Sequence, residues 1–348
     1  MRKKYLPLSF SLLFLAGVSG ARGDERSVCE EGMAAHKVGD FEKAISGYSQ
    51  CLSDTSLLPE DQAIAHFNRA NAYARDGQTQ KAIDDYTAVI KVAPRNAHAH
   101  YARGVLYQSE GLFDWAIQDY TAALKHRIDF VEAYSARGSA FAEKGEKTFA
   151  LRDLNKAIDL GPLDPNSYNN RGYLRLQLGD YDKAIEDFNK AIRLRGNFAL
   201  AFRNRGHAHF FEGRFDDAAK DFQRSFQNDE KDPYSAIWSY LSDARAQNEG
   251  RQEELKSYAK LNDLDSWPGP VISMLLGKTD PQVVAEMGRD NHTHLEKVRR
   301  AEALFYVGEQ QVLAGNTDNA LKFFEAVKET GLTGLMEALA ADVELKRL

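Results

Sequence analysis

The side chains in this sequence with the greatest reactive potential are two cysteines and three closely spaced histidine pairs. His98 with His100, His207 with His209, and His292 with His294 each lie two residues apart. Residues two apart on a helix point in different directions, so the first two pairs cannot grip one ion together. The third pair reads as loop, and no nearby cysteines or organised carboxylates complete a zinc site. No Gly-x-Ser-x-Gly elbow, phosphate-binding glycine loop or His-Glu-x-x-His motif occurs. Carboxylates are abundant, yet a pair of them needs a cleft before it can work as acid and base. The expectation is a non-enzyme, with no cofactor and no metal.

Cys29 and Cys51 are the only cysteines, and in an oxidising compartment they are expected to form a disulfide. Such a bridge contributes about 3 kcal/mol by loop entropy. The competing states are two buried free thiols or a redox pair, and no Cys-x-x-Cys spacing supports the latter.

Export is expected from residues 1–23. Arg2, Lys3 and Lys4 precede an apolar run from Tyr5 to Val18, and small residues follow at Ser19, Gly20, Ala21 and Gly23, the pattern of a cleaved signal peptide. The run is shorter than the roughly 20 apolar residues of a spanning helix. Leu15-Ala16-Gly17 would open a lipoprotein signal, but Val18 stands where a cysteine would be lipidated. A periplasmic or extracellular protein with no membrane span is therefore expected. Removing Arg2, Lys3, Lys4 and Arg22 takes the formal charge from -6 to -10, a surface that repels phosphate and argues against nucleic acid as partner.

The elements that must position any functional side chain are set by a repeat. Ala82, Ala116, Ala150, Ala184 and Ala218 recur every 34 residues, with Gly77, Gly111, Gly145, Gly179 and Gly213 five positions earlier. Ala44 with Gly39 is an earlier copy and Ala320 with Gly315 a later one. Each copy divides into two helices around its glycine, as in Ser167 to Leu178 and Tyr181 to Leu194, where Tyr181, Ala184, Ile185, Phe188 and Ile192 share one face. The glycine suits a left-handed helix terminus. The alanine lets two helices approach closely, and a larger residue there costs about 1–3 kcal/mol. Twelve positions before each alanine stands a second small residue, Ala70, Gly104, Gly138, Gly172 or Gly206.

These features resemble the tetratricopeptide family. Small residues stand at the twenty-seventh position (Ala123, Ala157, Ala191), aromatics at the eleventh (Tyr73, Tyr107, Phe141) and prolines at the close (Pro94, Pro162). Val89 and Ser225 depart from the pattern at the twenty-seventh, and Ile128 and Gly196 where proline is usual. The resemblance implies an all-α superhelix of antiparallel helix pairs with a C-terminal capping helix. Its segments would be a first helix pair at 24–58 with the Cys29–Cys51 bridge, five regular repeats at 63–230, degenerate helical repeats at 231–300, and a final repeat plus capping helix at 301–348. Trp267-Pro268-Gly269-Pro270 must break any helix.

Arg69, Arg103, Arg137, Arg171 and Arg205 share the seventh position, and Asp85, Asp119, Asp153, Asp187 and Asp221 the twenty-third. Such strict repetition points to an ion-pair ladder, expected to be partly exposed and worth about 0–1 kcal/mol per pair.

The C-terminal third carries a narrower resemblance. Asp232-Pro233, Ile237-Trp238-Ser239-Tyr240-Leu241, Trp267, Leu275-Leu276-Gly277 and Phe305-Tyr306-Val307-Gly308-Glu309 are similar to the NlpI-type family of periplasm-facing adaptors. Those proteins bring proteases and peptidoglycan hydrolases together. The missing lipidation cysteine departs from that family's outer-membrane anchoring.

By analogy with the repeat family, the first helix of each pair lines a concave wall. The outward residues there are Asn68, Asn71, Arg75, His98, Tyr101, Gln108, Asn170, Tyr173, Arg203, Asn204, His207, Phe210 and Phe211. Asparagine pairs with an extended peptide, and aromatics and arginine are enriched at interfaces. Phe210 and Phe211 have a second reading as packing against the next repeat. The carboxylate-clamp lysines of chaperone-binding repeats are not matched. The function expected is an envelope adaptor for a protease or cell-wall hydrolase, with apolar solenoid ends offering a route to a homodimer. The alternative is a glycan or exopolysaccharide carrier, stacking sugars on Tyr101, Tyr134, Tyr168 and Tyr173.

Overall fold

A computed structural model describes residues 23–248, 252–287 and 293–348, with side chains from residue 29 onward. The predicted signal peptide, apart from Gly23, and His292 lie outside the described residues. Those residues form nineteen helices and no strand, and no described helix is long and apolar enough to cross a membrane. They fall into two compact units that divide between Pro162 and Leu163.

The N-terminal unit holds four hairpins: α1 (Gly23–Lys37) with α2 (Phe41–Cys51), α3 (Pro59–Arg75) with α4 (Thr79–Val92), α5 (Ala97–Ser109) with α6 (Phe113–His126), and α7 (Val131–Glu143) with α8 (Lys147–Leu160). The C-terminal unit continues the pairing through α9 (Pro165–Gln177) with α10 (Tyr181–Leu194), and α11 (Ala199–Phe211) with α12 (Phe215–Asn228). Four shorter or unequal helices follow: α13 (Pro233–Arg245), α14 (Glu253–Leu261), α15 (Gly269–Leu275) and α16 (Pro281–Glu286). The unit closes with α17 (His294–Leu313), α18 (Thr317–Glu329) and α19 (Met336–Arg347).

Local chemistry sets these boundaries. Asp164, Asp232 and Asp280 each accept from the first-turn backbone while a proline occupies the next position, where a missing N–H costs nothing. Thr293 and Glu296 make a reciprocal capping box, so α17 begins seven residues before the expected clean pair at Ala301. The proline–glycine run at 267–270 separates α14 from α15, but Pro270 sits in the first turn of α15, where proline is tolerated. Between the two helices of a pair, glycines such as Gly77 and Gly179 take φ of +79° and +78°.

Close approach explains the second set of small residues. A Cβ on Gly172 would lie 2.7 Å from Phe188 Cε1, and one on Gly104 would lie 2.8 Å from Tyr120 Cε1. Each glycine thus seats the aromatic of its partner helix. Ala82, Ala116, Ala150, Ala184 and Ala218 are wholly buried.

The C-terminal unit has one large core centred on Trp238. Its indole stacks on Phe222 at 5.8 Å and on Phe305 at 5.3 Å, and meets Phe210 edge-on at 5.1 Å. The NlpI-like residues belong to this interior: Asp232 caps α13, Trp238 and Phe305 stack, and Trp267 Nε1 donates to buried Glu302. In the N-terminal unit Cys29 and Cys51 form a disulfide with Cα atoms 5.1 Å apart, tying α1 to α2.

Candidate functional site

The arginine–aspartate series forms a ladder built twice over. Within one repeat Arg69 holds Asp85 with Nε–Oδ2 at 2.7 Å and Nη2–Oδ1 at 2.8 Å, and Arg103 does the same to Asp119 at 2.8 and 2.8 Å. The third guanidinium nitrogen reaches back one repeat, from Arg69 to Ser49, Arg103 to Thr87, Arg137 to Thr121 and Arg205 to Asn189. Arg69, Arg103, Arg137 and Arg205 therefore each pin their own hairpin and the one before it.

The expectation of partly exposed pairs holds for the arginines and needs correcting for the aspartates. The five aspartates are between 1% and 5% exposed, because each carboxylate lies between its two helices, where its arginine's fork is its main partner and His66, His100 or Arg175 adds a second bond at Asp85, Asp119 or Asp187. Burial works to raise the Asp85 and Asp119 carboxyls, but hydrogen bonds from Arg69 and His66, and from Arg103 and His100, bring both below the usual value. At Asp221 burial outweighs Arg205 and its carboxyl is raised. The ladder is a fixed skeleton under the first helices.

On that skeleton the predicted wall residues take different environments. In the N-terminal unit Arg75 and His98 are exposed, Tyr101 and Gln108 are half-buried, and Asn68 and Asn71 are buried. Two buried tyrosines orient carboxamides here. Tyr86 donates its hydroxyl to Asn71 Oδ1 at 2.6 Å, and Tyr120 donates to Gln108 Oε1 at 2.8 Å. With each amide oxygen held, the nitrogen is left as donor: Gln108 Nε2 reaches Ser139 Oγ at 3.5 Å, whereas Asn71 Nδ2 is buried without a hydrogen bond. Partial burial and the nearby Arg127 guanidinium lower the pKa of His98, which keeps it neutral at pH 7. Tyr101 packs on Phe130 at 5.0 Å and on Tyr120 at 5.8 Å.

In the C-terminal unit Asn170, Tyr173 and Arg203 are half-buried, and Asn204, His207, Phe210 and Phe211 are buried. Asn204 Nδ2 donates to Asn169 Oδ1 at 3.0 Å, and Arg203 pairs with Asp232 at 2.6 Å. His207 lies edge-on to Trp238 at 4.6 Å. Phe210 and Phe211 belong to the core and follow the packing reading: Trp238 of α13 meets Phe210 edge-on, and Tyr181 and His207 lie against Phe211.

The histidine pairs split as helix geometry requires. His100 engages Asp119 through Nδ1 at 3.0 Å and the Pro94 carbonyl through Nε2 at 3.1 Å, while His98 contacts Phe130 and Arg127. His209 sits against Arg214, away from the Trp238 face occupied by its neighbour His207.

Sequence reasoning passed over the most exposed aromatics. Trp115 is 58% exposed beside Tyr107, and Phe149 is 47% exposed beside Phe141. The signal was in the register: they occupy the position where other repeats carry Lys81, Lys183 and Asp217. The chemistry these surfaces offer is hydrogen bonding from oriented amides and contact with aromatic faces, which is the chemistry of recognition.

The tetratricopeptide repeat family matches this sequence at residues 63–96 and 165–198. Among solved structures, a tetratricopeptide repeat protein from Parabacteroides merdae is similar, with 19% identity over 73% of this chain and 98% of that one, and a TM-score of 0.58. PilF of Pseudomonas aeruginosa is similar with 19% identity over 63% of this chain and 98% of its own, at a TM-score of 0.53. PilW, described as a widely conserved type IV pilus biogenesis factor, has 18% identity over 59% of this chain and 95% of its own, at 0.53. At these identities the likeness is one of fold. With the 34-residue register, the hairpin geometry and these matches together, the chain is a tetratricopeptide repeat protein.

Proposed function

We propose that this protein is an exported scaffold of the cell envelope, which docks a protease or peptidoglycan hydrolase against the first helices of its repeats. The observation that carries the reading is the half-buried carboxamide of Gln108, its oxygen held by Tyr120, on the same first helices as exposed Arg75 and His98. An amide whose oxygen is already bonded offers its N–H to a backbone carbonyl, and a peptide presents such carbonyls at regular intervals. Export rests on the basic and apolar pattern of residues 1–23, and the envelope partners on the NlpI-like residues of the C-terminal third.

The glycan-carrier reading is weaker. Tyr101 spends its ring on Phe130 and Tyr120, and Tyr134 and Tyr168 lie beneath Arg137 and Arg171, so these faces are already engaged. The test is affinity capture from envelope extract, comparing the wild type with the Arg75→Ala/His98→Ala double variant. Specific recovery of a protease or hydrolase that the variant loses while keeping its helicity supports the proposal. Recovery of no protein, or equal recovery by both, overturns it, and saturable binding of purified glycan in its place would favour the carrier.

A further inference from the structure

The C-terminal helix is fastened by charge rather than by an apolar stripe alone. α19 turns Glu337 and Glu344 inward, both wholly buried. Glu344 accepts from Arg245 Nη2 of α13 at 2.9 Å, and Nη1 of the same guanidinium donates to Glu309 of α17 at 2.9 Å. Arg347, three residues on, pairs with Glu344. It also donates to the carbonyl oxygens of Phe210 and Phe211 at 2.9 Å each, at the end of α11, with its guanidinium over the Phe215 ring. Two carboxylates and two guanidiniums thus close one circuit through four helices. Glu309 is its weak member: the side chain is fully buried, Oε1 makes no hydrogen bond, and it shares Arg245 with a second carboxylate.

We propose that α19 is a latch on the C-terminal unit, held shut by this circuit and loosened when the buried Glu309 carboxyl loses its proton. The groups facing Glu309 are Arg245 from α13 and Glu344 and Arg347 from α19. Burial first, and then the charge of Glu344, push the Glu309 carboxyl up to about 7 against the pull of Arg245 and Arg347. A carboxyl released to water titrates near its ordinary value of 4.5. Between that value and about 7, Glu309 on α17 keeps a proton while α19 covers it and gives that proton up once α19 leaves and water reaches the carboxyl. Docking is therefore strongest at low pH and weakens as pH climbs through the docked value. Gly331, at φ +70°, and Gly334 lie in the connection from α18, giving the helix a joint on which to swing. Opening would bare the Phe210 and Phe211 carbonyls and the Phe215 ring.

Hydrogen–deuterium exchange on the full chain tests this, with rates corrected for intrinsic chemistry and compared between about pH 5.5 and about pH 8, on either side of the proposed transition. The expected result is that the opening constant of α19 rises about tenfold or more relative to α3–α6, and that Glu309→Gln abolishes the rise. A wild-type α19 whose protection is unchanged across this range overturns the proposal without reference to any variant. A rise that persists in Glu309→Gln overturns it equally.

Discussion

The guanidinium of Arg137 straddles Asp153, with Nε to Oδ2 at 2.6 Å and Nη2 to Oδ1 at 3.1 Å, while its Nη1 donates to Thr121 of the preceding hairpin at 3.0 Å. Asp153 is 1% exposed, so removing its bidentate partner leaves a buried charge with only the exposed Arg152, at 3.5 Å, beside it. Arg137→Ala is expected to cost about 3 kcal/mol in urea unfolding, and Thr121→Ala about 1 kcal/mol, because the latter loses one exposed hydrogen bond. Equal losses would show that the two contacts do not differ in burial as described.

Glycines in the same repeat separate packing from backbone freedom. Gly172→Ala places a methyl 2.7 Å from Phe188 Cε1 and is expected to destabilise by about 1–3 kcal/mol. At Gly196 an added methyl would meet nothing within 4 Å, and φ is not positive, so Gly196→Ala is expected to be neutral or mildly stabilising. Thermal melts of the two variants would decide the matter, and a Gly172→Ala protein as stable as the wild type would contradict the close approach.

The Cys29–Cys51 bridge closes a loop across α1 and α2. Reduction, or a Cys29→Ser/Cys51→Ser variant, is expected to lower the stability of this first hairpin by about 3 kcal/mol. Limited proteolysis should then cut within residues 29–57 before the other hairpins are touched. Thiol alkylation of the native oxidised protein, read by mass spectrometry, should leave both cysteines unlabelled.

His209 supplies a pH dependence opposite in sign to that of Glu309. Burial, then the Arg214 and Arg205 guanidiniums, lower its pKa from 6.5 to about 4. Between these values the unfolded chain binds the extra proton, so stability is lost as pH falls from 6.5 toward 4. His209→Phe, which places an aromatic at the eleventh position as Phe141 does, is expected to flatten that decline. Because Glu309 titrates in an overlapping range, the informative quantity is the difference between wild-type and variant melting temperatures across the pH series. A difference that does not change with pH would show that His209 does not couple protonation to folding.

The amino-acid sequence by itself determined the helix pairs, the positive-φ glycines, the arginine–aspartate partners and the cysteine pair. These arise from rules that act at short range or recur at a fixed spacing: a cap, a turn, a methyl between two helices, a fork sixteen residues from its carboxylate. Only the tertiary structure decided which wall residues stay open and which are sealed. Arg75 and Phe211 both lie in predicted wall positions, but one faces solvent while the other is covered because an irregular stretch brings Trp238 and α17 against that end. The same holds for the buried circuit of α19. Arg245 and Glu344 are 99 residues apart, and neither belongs to a repeated register that would announce the other. Contacts between elements of unlike period leave no pattern along the chain, so their chemistry is settled only when the chain has folded and burial has removed the water.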